Sequence, residues 1–122
     1  MMFKVWNKKK KCYEKAIIYA DGRICVIRKN SRTYINGNDN YILCFFTGLY
    51  DKNKKPIYQG DVLKETYDAD GETETDITRV AYLQEAAGFV MVHDDKPTDY
   101  TYFDDVDLNG IEVIGNTYEG LL

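Results

Sequence analysis

Closely spaced turn signals divide this chain into short apolar runs, and their spacing restricts the possible folds more than any other feature. Asp21-Gly22 lies between the apolar runs at 12–20 and 23–28. An Asp-Gly pair in that position favours a hairpin turn in which both central residues have positive φ. Asp70-Gly71 lies within the acidic stretch 68–76, which we expect to form a hairpin loop. The sequence therefore predicts antiparallel strands joined by tight turns.

The runs between the turns have the composition of β-strands. Tyrosine contributes 11 of the 122 residues, and together with many Ile and Val it favours strands over helices. Residues 80–87 have some helix propensity, but Gly88 and the apolar run after it favour a hairpin around 85–88 instead. The stretch 41–47 is apolar on both faces and is predicted to be the most buried strand.

About eight or nine short strands at close spacing predict an all-β protein. We expect a small barrel-like domain, SH3-like or related, with extra β-hairpins and little helix. The length of 122 residues indicates a single domain over residues 1–122.

The cysteines and the first residues indicate the cellular compartment. Cys12, Cys25 and Cys44 lie far apart without a Cys-x-x-Cys pair, so neither a zinc ribbon nor a redox dithiol is expected. An odd number of cysteines also argues against a secreted disulfide framework. The opening residues MMFKVWNKKKK carry charges where a signal peptide needs an apolar stretch, and no apolar run is long enough to span a bilayer. We therefore expect free thiols in a cytoplasmic protein with no membrane partner.

Charge is distributed unevenly along the chain. Residues 1–64 contain 14 Lys and Arg against 5 Asp and Glu, whereas residues 65–122 contain 2 against 15. One interpretation is that the two halves pack together and neutralise each other within one domain. The other is a molecule with a basic face and an acidic face, which associates head to tail or meets a charged partner. The sequence leaves both interpretations open.

No arrangement of residues in the sequence predicts catalysis. His93 is the only histidine, and its position beside two aspartates at the end of an apolar run is typical of a strand end rather than of a general base. Residues 105–116 resemble the start of a calcium loop, but Glu112 stands where an apolar residue belongs and Asn116 where the bidentate Glu belongs. We expect no enzyme activity, no metal and no cofactor. A small carboxylate-dependent enzyme is the least favoured alternative, because sequence alone cannot bring two carboxylates within catalytic distance.

The best candidate for a ligand-binding surface is basic. The stretch 7–10 is a predicted turn with Asn at its first position, and a second polar turn follows Asp51. If both turns lie at one end of a barrel, they form a basic patch with aromatic neighbours, and such patches suit single-stranded nucleic acid. The pI of about 5.0 argues against that function, and the alternative is a solvated turn that aids solubility. The residues of this candidate nucleic-acid or partner patch are Trp6, Lys8, Lys9, Lys10, Lys11, Lys52, Lys54 and Lys55.

Three blocks of sequence resemble the YopX-like family of bacteriophage and prophage proteins. The first is residues 3–7 (FKVWN), similar to Phe-Arg-Ala-Trp-Asp in the family. The second is residues 47–61 (TGLYDKNKKPIYQGD), similar to Thr-Gly-Leu, Asp-x-Asn-Gly and Ile-Tyr-Glu-Gly-Asp. The third is residues 112–119 (EVIGNTYE), similar to Val-Ile-Gly-Asn-Ile-Tyr-Glu-Asn. In this order the blocks cover essentially the whole chain, although Lys54 replaces the glycine of the family pattern.

The resemblance implies a mostly β, intracellular protein with a barrel-like part that forms oligomers. It implies no activity and no catalytic residue, because the family has no characterised function. From the residues themselves, we expect the second and third blocks to form corners of the fold, since glycine permits sharp changes of direction. The predicted corner residues are Gly48, Gly60, Asp61, Gly115 and Asn116.

The function expected from the sequence is that of a phage-encoded, non-enzymatic interaction protein. It is expected to self-associate and to act on phage or host components in the cytoplasm of an infected or lysogenic bacterium. The first alternative is an accessory protein that binds nucleic acid through the basic N-terminal hairpin.

Overall fold

This computed structural model describes residues 2–93 and 98–119, and strands are the main regular elements in them. Strands make up 59% of the structure, with one curled half-barrel sheet and further sheets, which confirms the predicted all-β, barrel-like class. In these residues the helical elements are short 3-10 turns, and no helix is long and apolar enough to cross a membrane. The strands are β1 (Phe3–Asn7), β2 (Cys12–Glu14), β3 (Ala16–Ile18), β4 (Ile24–Ile27), β5 (Arg32–Tyr34), β6 (Tyr41–Tyr50), β7 (Pro56–Tyr58), β8 (Asp61–Ala69), β9 (Glu72–Leu83), β10 (Gly88–His93), β11 (Tyr100–Tyr102) and β12 (Ile111–Asn116). The 3-10 turns are Phe103–Asp105, Leu108–Gly110 and Thr117–Glu119.

The chain divides into two compact units, unit 1 (residues 1–45) and unit 2 (residues 46–122). Strand β6 begins in unit 1 and ends in unit 2. Each unit contains its own cluster of buried apolar side chains. The single-domain organisation expected from the length stays a prediction.

Unit 1 contains the three-stranded sheet β3-β4-β5 and the antiparallel strands β2, β1 and the first half of β6. Successive side chains along a strand point to opposite faces, so alternate residues turn inward. Val5 of β1 and Val26 of β4 are completely buried and pack with Ile35. Partly buried neighbours such as Phe3 and Leu43 complete this small cluster.

Unit 2 contains a five-stranded antiparallel sheet in the order β11-β10-β9-β8-β12. Leu63, Met91 and Ile111 are fully buried at the centre of its apolar cluster. Strand β12 pairs with β8 only at residues 61–65, and β10 pairs with β9 only at 78–83. The far end of the β8–β9 hairpin is therefore a two-stranded ribbon.

Two of the expected turns differ in detail from the sequence analysis. Asp70 and Gly71 have φ of 54° and 85°, as a type I′ turn requires, but the two strands run directly up to them. The prediction of a loop over 68–76 was wrong, because cross-strand pairing holds even these acidic residues extended. The hairpin at Asp21-Gly22 is present, yet only Gly22 has positive φ, and its amide donates to the Tyr19 carbonyl at 2.9 Å. This geometry is that of a longer turn with glycine in the left-handed position.

One strand prediction was confirmed and one was wrong. The hairpin predicted around 85–88 is confirmed, with Leu83 opposite Gly88. The stretch 41–47 is not the most buried strand, since Cys44 is its only fully buried residue, whereas residues 90–92 of β10 are all buried.

Candidate interaction surfaces

The four lysines of the first predicted turn lie on an ordered loop that joins β1 to β2. Lys8–Lys11 are all exposed, and Lys11 has a left-handed backbone with φ of 52°. The Oδ1 atom of buried Asn7 accepts hydrogen bonds from the amides of Lys9 (3.1 Å) and Lys10 (3.0 Å). The Asn7 carbonyl accepts the Lys11 amide at 2.7 Å. The backbone of this loop is therefore fixed, while its side chains extend into solvent.

A polar network in unit 1 anchors this loop. The side-chain amide of Asn7 donates to Glu14 at 3.1 Å, and Arg28 donates two hydrogen bonds of 3.0 Å to the same carboxylate. Arg28 also donates to the hydroxyls of Thr33 and Tyr41. Burial acts to raise the pKa of Glu14, but the hydrogen bonds from Arg28 and Asn7 outweigh it and hold the pKa below its ordinary value. Within the described residues, no ion pair joins this network to the lysines of the loop.

Trp6, the aromatic residue assigned to the basic patch, is used in packing. It is 4% exposed and packs against Tyr13 in a T-shaped arrangement, with 4.9 Å between the ring centroids. The ammonium of Lys4 lies 3.6 Å from the centroid of the same Tyr13 ring. The exposed part of the patch in unit 1 is therefore its lysines and not its indole.

Asp51 organises the second predicted turn, in unit 2. Its carboxylate is 4% exposed and accepts the amides of Asn53 (2.8 Å) and Lys55 (2.9 Å) through Oδ1. Its Oδ2 atom accepts the amide of Val113 in β12 at 2.9 Å. Burial acts to raise the pKa of Asp51, but these backbone hydrogen bonds outweigh it and hold the pKa below its ordinary value. The turn is thus fastened to the sheet by a buried anion.

The lysines of this second turn, Lys52, Lys54 and Lys55, are exposed. Lys54 has φ of 65°, the left-handed region that favours glycine, and glycine is the residue of the family pattern there. The turn persists despite the substitution, and the Lys54 amide donates to the Asp51 carbonyl at 3.0 Å. The first lysine turn belongs to unit 1 and this one to unit 2, so their union in one patch stays a prediction.

Gly60 and Asp61 lie at a crowded corner of unit 2. Gly60 has φ of 91°, and its carbonyl accepts the Thr117 amide at 2.8 Å. A Cβ atom on Gly60 would lie 2.6 Å from carbon atoms of the Tyr118 ring, so only glycine fits without a shift. The Asp61 carboxylate accepts the Tyr58 amide at 2.8 Å. Burial, followed by the charge of Asp61, raises the pKa of Tyr58.

In the third sequence block, Asn116 joins β12 to the last 3-10 turn of the described residues. Its buried side chain accepts the amides of Tyr118 and Glu119, both at 2.9 Å, and donates to the Glu119 carboxylate at 2.8 Å. This reciprocal bonding is similar to a capping box at the start of the last 3-10 turn.

Gly115 lies at a register shift between β12 and β8, and Gly48, with φ of 87°, lies at a shift between β6 and β7. The five predicted corner residues thus lie at turns or at irregular points of strands.

The acidic ribbon, which we define as residues 65–76, contains six carboxylates and no basic side chain. Glu65 lies directly opposite Asp76, and Glu74 lies opposite Tyr67. None of the six carboxylates forms an ion pair with any residue that the structure describes. Burial, followed by the charge of Asp76, raises the pKa of Glu65, and His93 acts in the opposite direction. This pairing of carboxylates was not predicted from the sequence, because the stretch 68–76 was interpreted as a loop.

His93, the only histidine, lies half-buried at the end of β10. Its Nε2 atom is 2.7 Å from the Thr101 hydroxyl. Thr78, opposite His93, is fully buried, and its hydroxyl has no hydrogen-bond partner among the described residues. In the same part of the chain no group of three or more His, Cys, Asp or Glu could hold a metal ion. The expectation of no enzyme activity stays a prediction.

The thiols agree with the sequence analysis. Cys12, Cys25 and Cys44 are free, and only Cys12 is exposed.

Unit 1 also exposes an apolar strand edge. Strand β3 is terminal in its sheet, and Ile17 and Ile18 are 41% and 48% exposed. Met2, close to them, is exposed as well. This edge was not predicted from the sequence, because residues 12–20 form an apolar-rich run whose composition does not show which part lacks a neighbouring strand on one side.

The fold and these surfaces define a small all-β protein that presents charged turns and an open strand edge. The sequence matches the YopX protein family over residues 2–120, and the chain belongs to that family. Among solved structures, it is similar to the crystal structure of protein EF1440 from Enterococcus faecalis, with 20% sequence identity and a TM-score of 0.62. This similarity covers 97% of the present chain and 93% of the other chain, and it concerns the fold alone. No curated protein matches the sequence.

Proposed function

We propose that the chain is a phage-encoded, non-enzymatic interaction protein that self-associates head to tail in the cytoplasm of an infected or lysogenic bacterium. The observation that supports this proposal most is the division of charge between the two units. Unit 1 contains 10 Lys and Arg against 3 Asp and Glu, and unit 2 contains 6 against 17. Each compact unit therefore has a large net charge of its own sign. Membership of the YopX family supports the phage origin.

Neutralisation within each unit is limited by numbers, because unit 1 has 3 acidic side chains for 10 basic ones and unit 2 has 6 basic side chains for 17 acidic ones. Among the described residues of unit 1, ion pairs join Arg23 to Asp21 and Arg28 to Glu14. In unit 2 the carboxylates of the acidic ribbon form no ion pair with a described residue.

This distribution of charge favours one mode of association. Two copies attract each other through unlike units and repel each other through like units. A two-fold contact places the same surface of both copies together, whereas a head-to-tail contact joins different surfaces. The charges therefore favour the head-to-tail arrangement.

Sedimentation velocity at several protein concentrations tests the proposal. At low ionic strength, where the Debye length is about 30 Å, we expect the average mass to rise with protein concentration. At physiological ionic strength, where the Debye length is about 8 Å, we expect the association to weaken. A monomer at every protein concentration in low salt would contradict self-association. An oligomer that is indifferent to salt would contradict its electrostatic basis.

The exposed loop Lys8–Lys11 favours nucleic-acid binding as a second candidate function. Trp6 and Tyr58 are buried while Tyr50 is exposed, so recognition would depend chiefly on phosphate contacts, with Tyr50 left to stack on a base. Fluorescence anisotropy with labelled single- and double-stranded oligonucleotides, at low and physiological salt, tests this candidate. Binding with a steep salt dependence that is lost when the four lysines become Ser would favour it over self-association. No binding at low salt would exclude it.

A further inference from the structure

Strand β3 has the features of an edge that pairs with another strand. It is terminal in its sheet, and its residues Ala16–Ile18 include neither a proline nor a charged side chain, which are common protections of an edge. Its two isoleucines are exposed, and with Met2 and Phe3 they line an apolar groove. An unprotected apolar edge of this kind is a template for strand addition.

The hydrogen bonds to β4 determine which backbone groups of β3 point to the open edge. The Lys15 carbonyl and the Tyr19 amide both bond to the β4 side, at 3.0 Å and 2.8 Å. Bonding residues alternate along an antiparallel strand, so Ile17 also bonds to β4. Ala16 and Ile18 therefore direct their N–H and C=O groups away from β4.

These features define the chemistry of a partner. The outward backbone groups bind another extended strand, and the exposed isoleucines favour aromatic or β-branched neighbours across the pair. The positive charge of unit 1 favours a partner with acidic flanks. A second copy of β3 does not meet this last condition, because it would bring two basic units together.

Strand β11 meets all of these conditions. It is terminal in the five-stranded sheet, has the sequence Tyr-Thr-Tyr, and is flanked by Asp99 and Asp104. The His93 amide donates to the Asp99 carbonyl at 3.2 Å on the β10 side. By the same alternation, Tyr100 and Tyr102 direct their N–H and C=O groups to the open edge.

We propose that β3 of one copy pairs antiparallel with β11 of a second copy. Ala16 then lies opposite Tyr102 and Ile18 opposite Tyr100, and each pair exchanges both of its backbone hydrogen bonds. This proposal names the contact surfaces for the self-association proposed above and rests on it. Because each copy in a pair keeps one unused edge, the contact repeats and produces rings or open chains.

Amide hydrogen exchange, measured residue by residue by NMR in dilute and in concentrated protein, tests the proposal directly. We expect the amides that point to the open edges to exchange at least about tenfold more slowly in the associated state. The amides of Ile17 and Thr101, which bond within their own sheets, serve as internal controls and keep their protection. The amides expected to gain protection are those of Ala16, Ile18, Tyr100 and Tyr102.

Two proline variants test the same contact by mixing. Ala16→Pro and Tyr102→Pro each remove one outward N–H without removing a hydrogen bond of the native sheet. Tyr102 has φ of −75°, which proline accepts. We expect each variant alone to be a monomer and an equal mixture to stop at a dimer, because each variant supplies the edge that the other lacks. Tyr102→Ala, which keeps the amide, controls for loss of the ring.

The outcomes separate this proposal from the proposed function. If the wild-type chain self-associates but the proline variants associate equally well and the outward amides gain no protection, the edge contact is wrong and self-association stands. If the wild-type chain is a monomer at every concentration, both proposals fail. If the proline variants lose their native circular dichroism, Ile17→Lys replaces them, with Tyr82→Lys on an interior strand as the control. Association of Ile17→Lys at the wild-type level would overturn the edge contact.

Discussion

At the scale of single residues, Asp51 has a more buried and more structural role than its place in a polar turn indicates. The sequence predicts a polar turn at this point, and Asp51 is its first member. Its burial could not be predicted, because one of the amides that donate to its carboxylate belongs to Val113, 62 residues further along the chain. The left-handed backbone of Lys54 was indicated only by the glycine that the resembling family pattern has there, since lysine itself rarely adopts positive φ.

Lys54→Gly is expected to raise the free energy of unfolding by about 1 kcal/mol, because glycine adopts positive φ without steric strain. Urea unfolding followed by far-UV circular dichroism measures the change. Lys52→Gly is the matched control: it removes the same charge from the same turn at a residue without positive φ. We expect the free energy of unfolding of this control to fall by about 0.4–1 kcal/mol, because glycine increases the conformational entropy of the unfolded chain. Equal effects of the two substitutions would show that Lys54 is not strained.

At the scale of elements, hairpins whose turns contain glycine were predictable, and strand lengths were not. The turn at Asp70-Gly71 follows from local sequence, because glycine takes backbone angles that few other residues accept. The hairpin around 85–88 was also predicted from a glycine, but its left-handed residue is Ala87, with φ of 53°, and Gly88 begins the next strand. The carboxylates of the acidic ribbon have little intrinsic preference for strands, although the Thr and Tyr residues between them favour strands. The ribbon is extended because β8 and β9 pair along their whole common length, which depends on the sheet rather than on the ribbon. The terminal position of β3 in its sheet was likewise not predictable, because it depends on which strands pair with each other and not on the sequence of β3.

Glu65→Gln is expected to stabilise the ribbon at neutral pH. In the folded protein, burial and then Asp76 raise the pKa of Glu65, so its ionisation lowers stability as the pH rises through the folded pKa. Glutamine removes a like-charge pair between opposite residues, and we expect a gain of about 0.5 kcal/mol at pH 7. The gain should vanish below about pH 4, where the carboxyl is protonated in both states.

Thermal unfolding of the variant and the wild type across this pH range measures the effect. Glu74→Gln, whose opposite neighbour is Tyr67 rather than a carboxylate, is the control and should change stability less. A gain for Glu65→Gln that persisted in acid would mean that the lost charge is not its cause.

At the scale of the whole molecule, the charge asymmetry was visible in the sequence, but its boundary was not. The sequence separates a basic half from an acidic half at residue 64, whereas the compact units divide after residue 45. The lysines at 52–55 therefore belong to the unit with the negative balance. Each unit therefore has a net charge of its own sign, which is the distribution that the proposed head-to-tail association requires.

Two charge-neutralised variants test whether unlike units of different copies attract each other. In the loop variant, the four lysines of Lys8–Lys11 become Ser; in the ribbon variant, Glu72, Glu74 and Asp76 become Gln, Gln and Asn. We expect each variant alone to associate at least about tenfold more weakly than the wild type at low salt. The loop variant lacks part of the positive charge of unit 1, and the ribbon variant lacks part of the negative charge of unit 2. An equal mixture should have a higher average mass than either variant, because the intact basic unit of the ribbon variant meets the intact acidic unit of the loop variant. Sedimentation velocity of the three samples measures this, and physiological salt should reduce the difference. If the mixture were no heavier than the mean of its components, attraction between unlike units would not be what joins the copies.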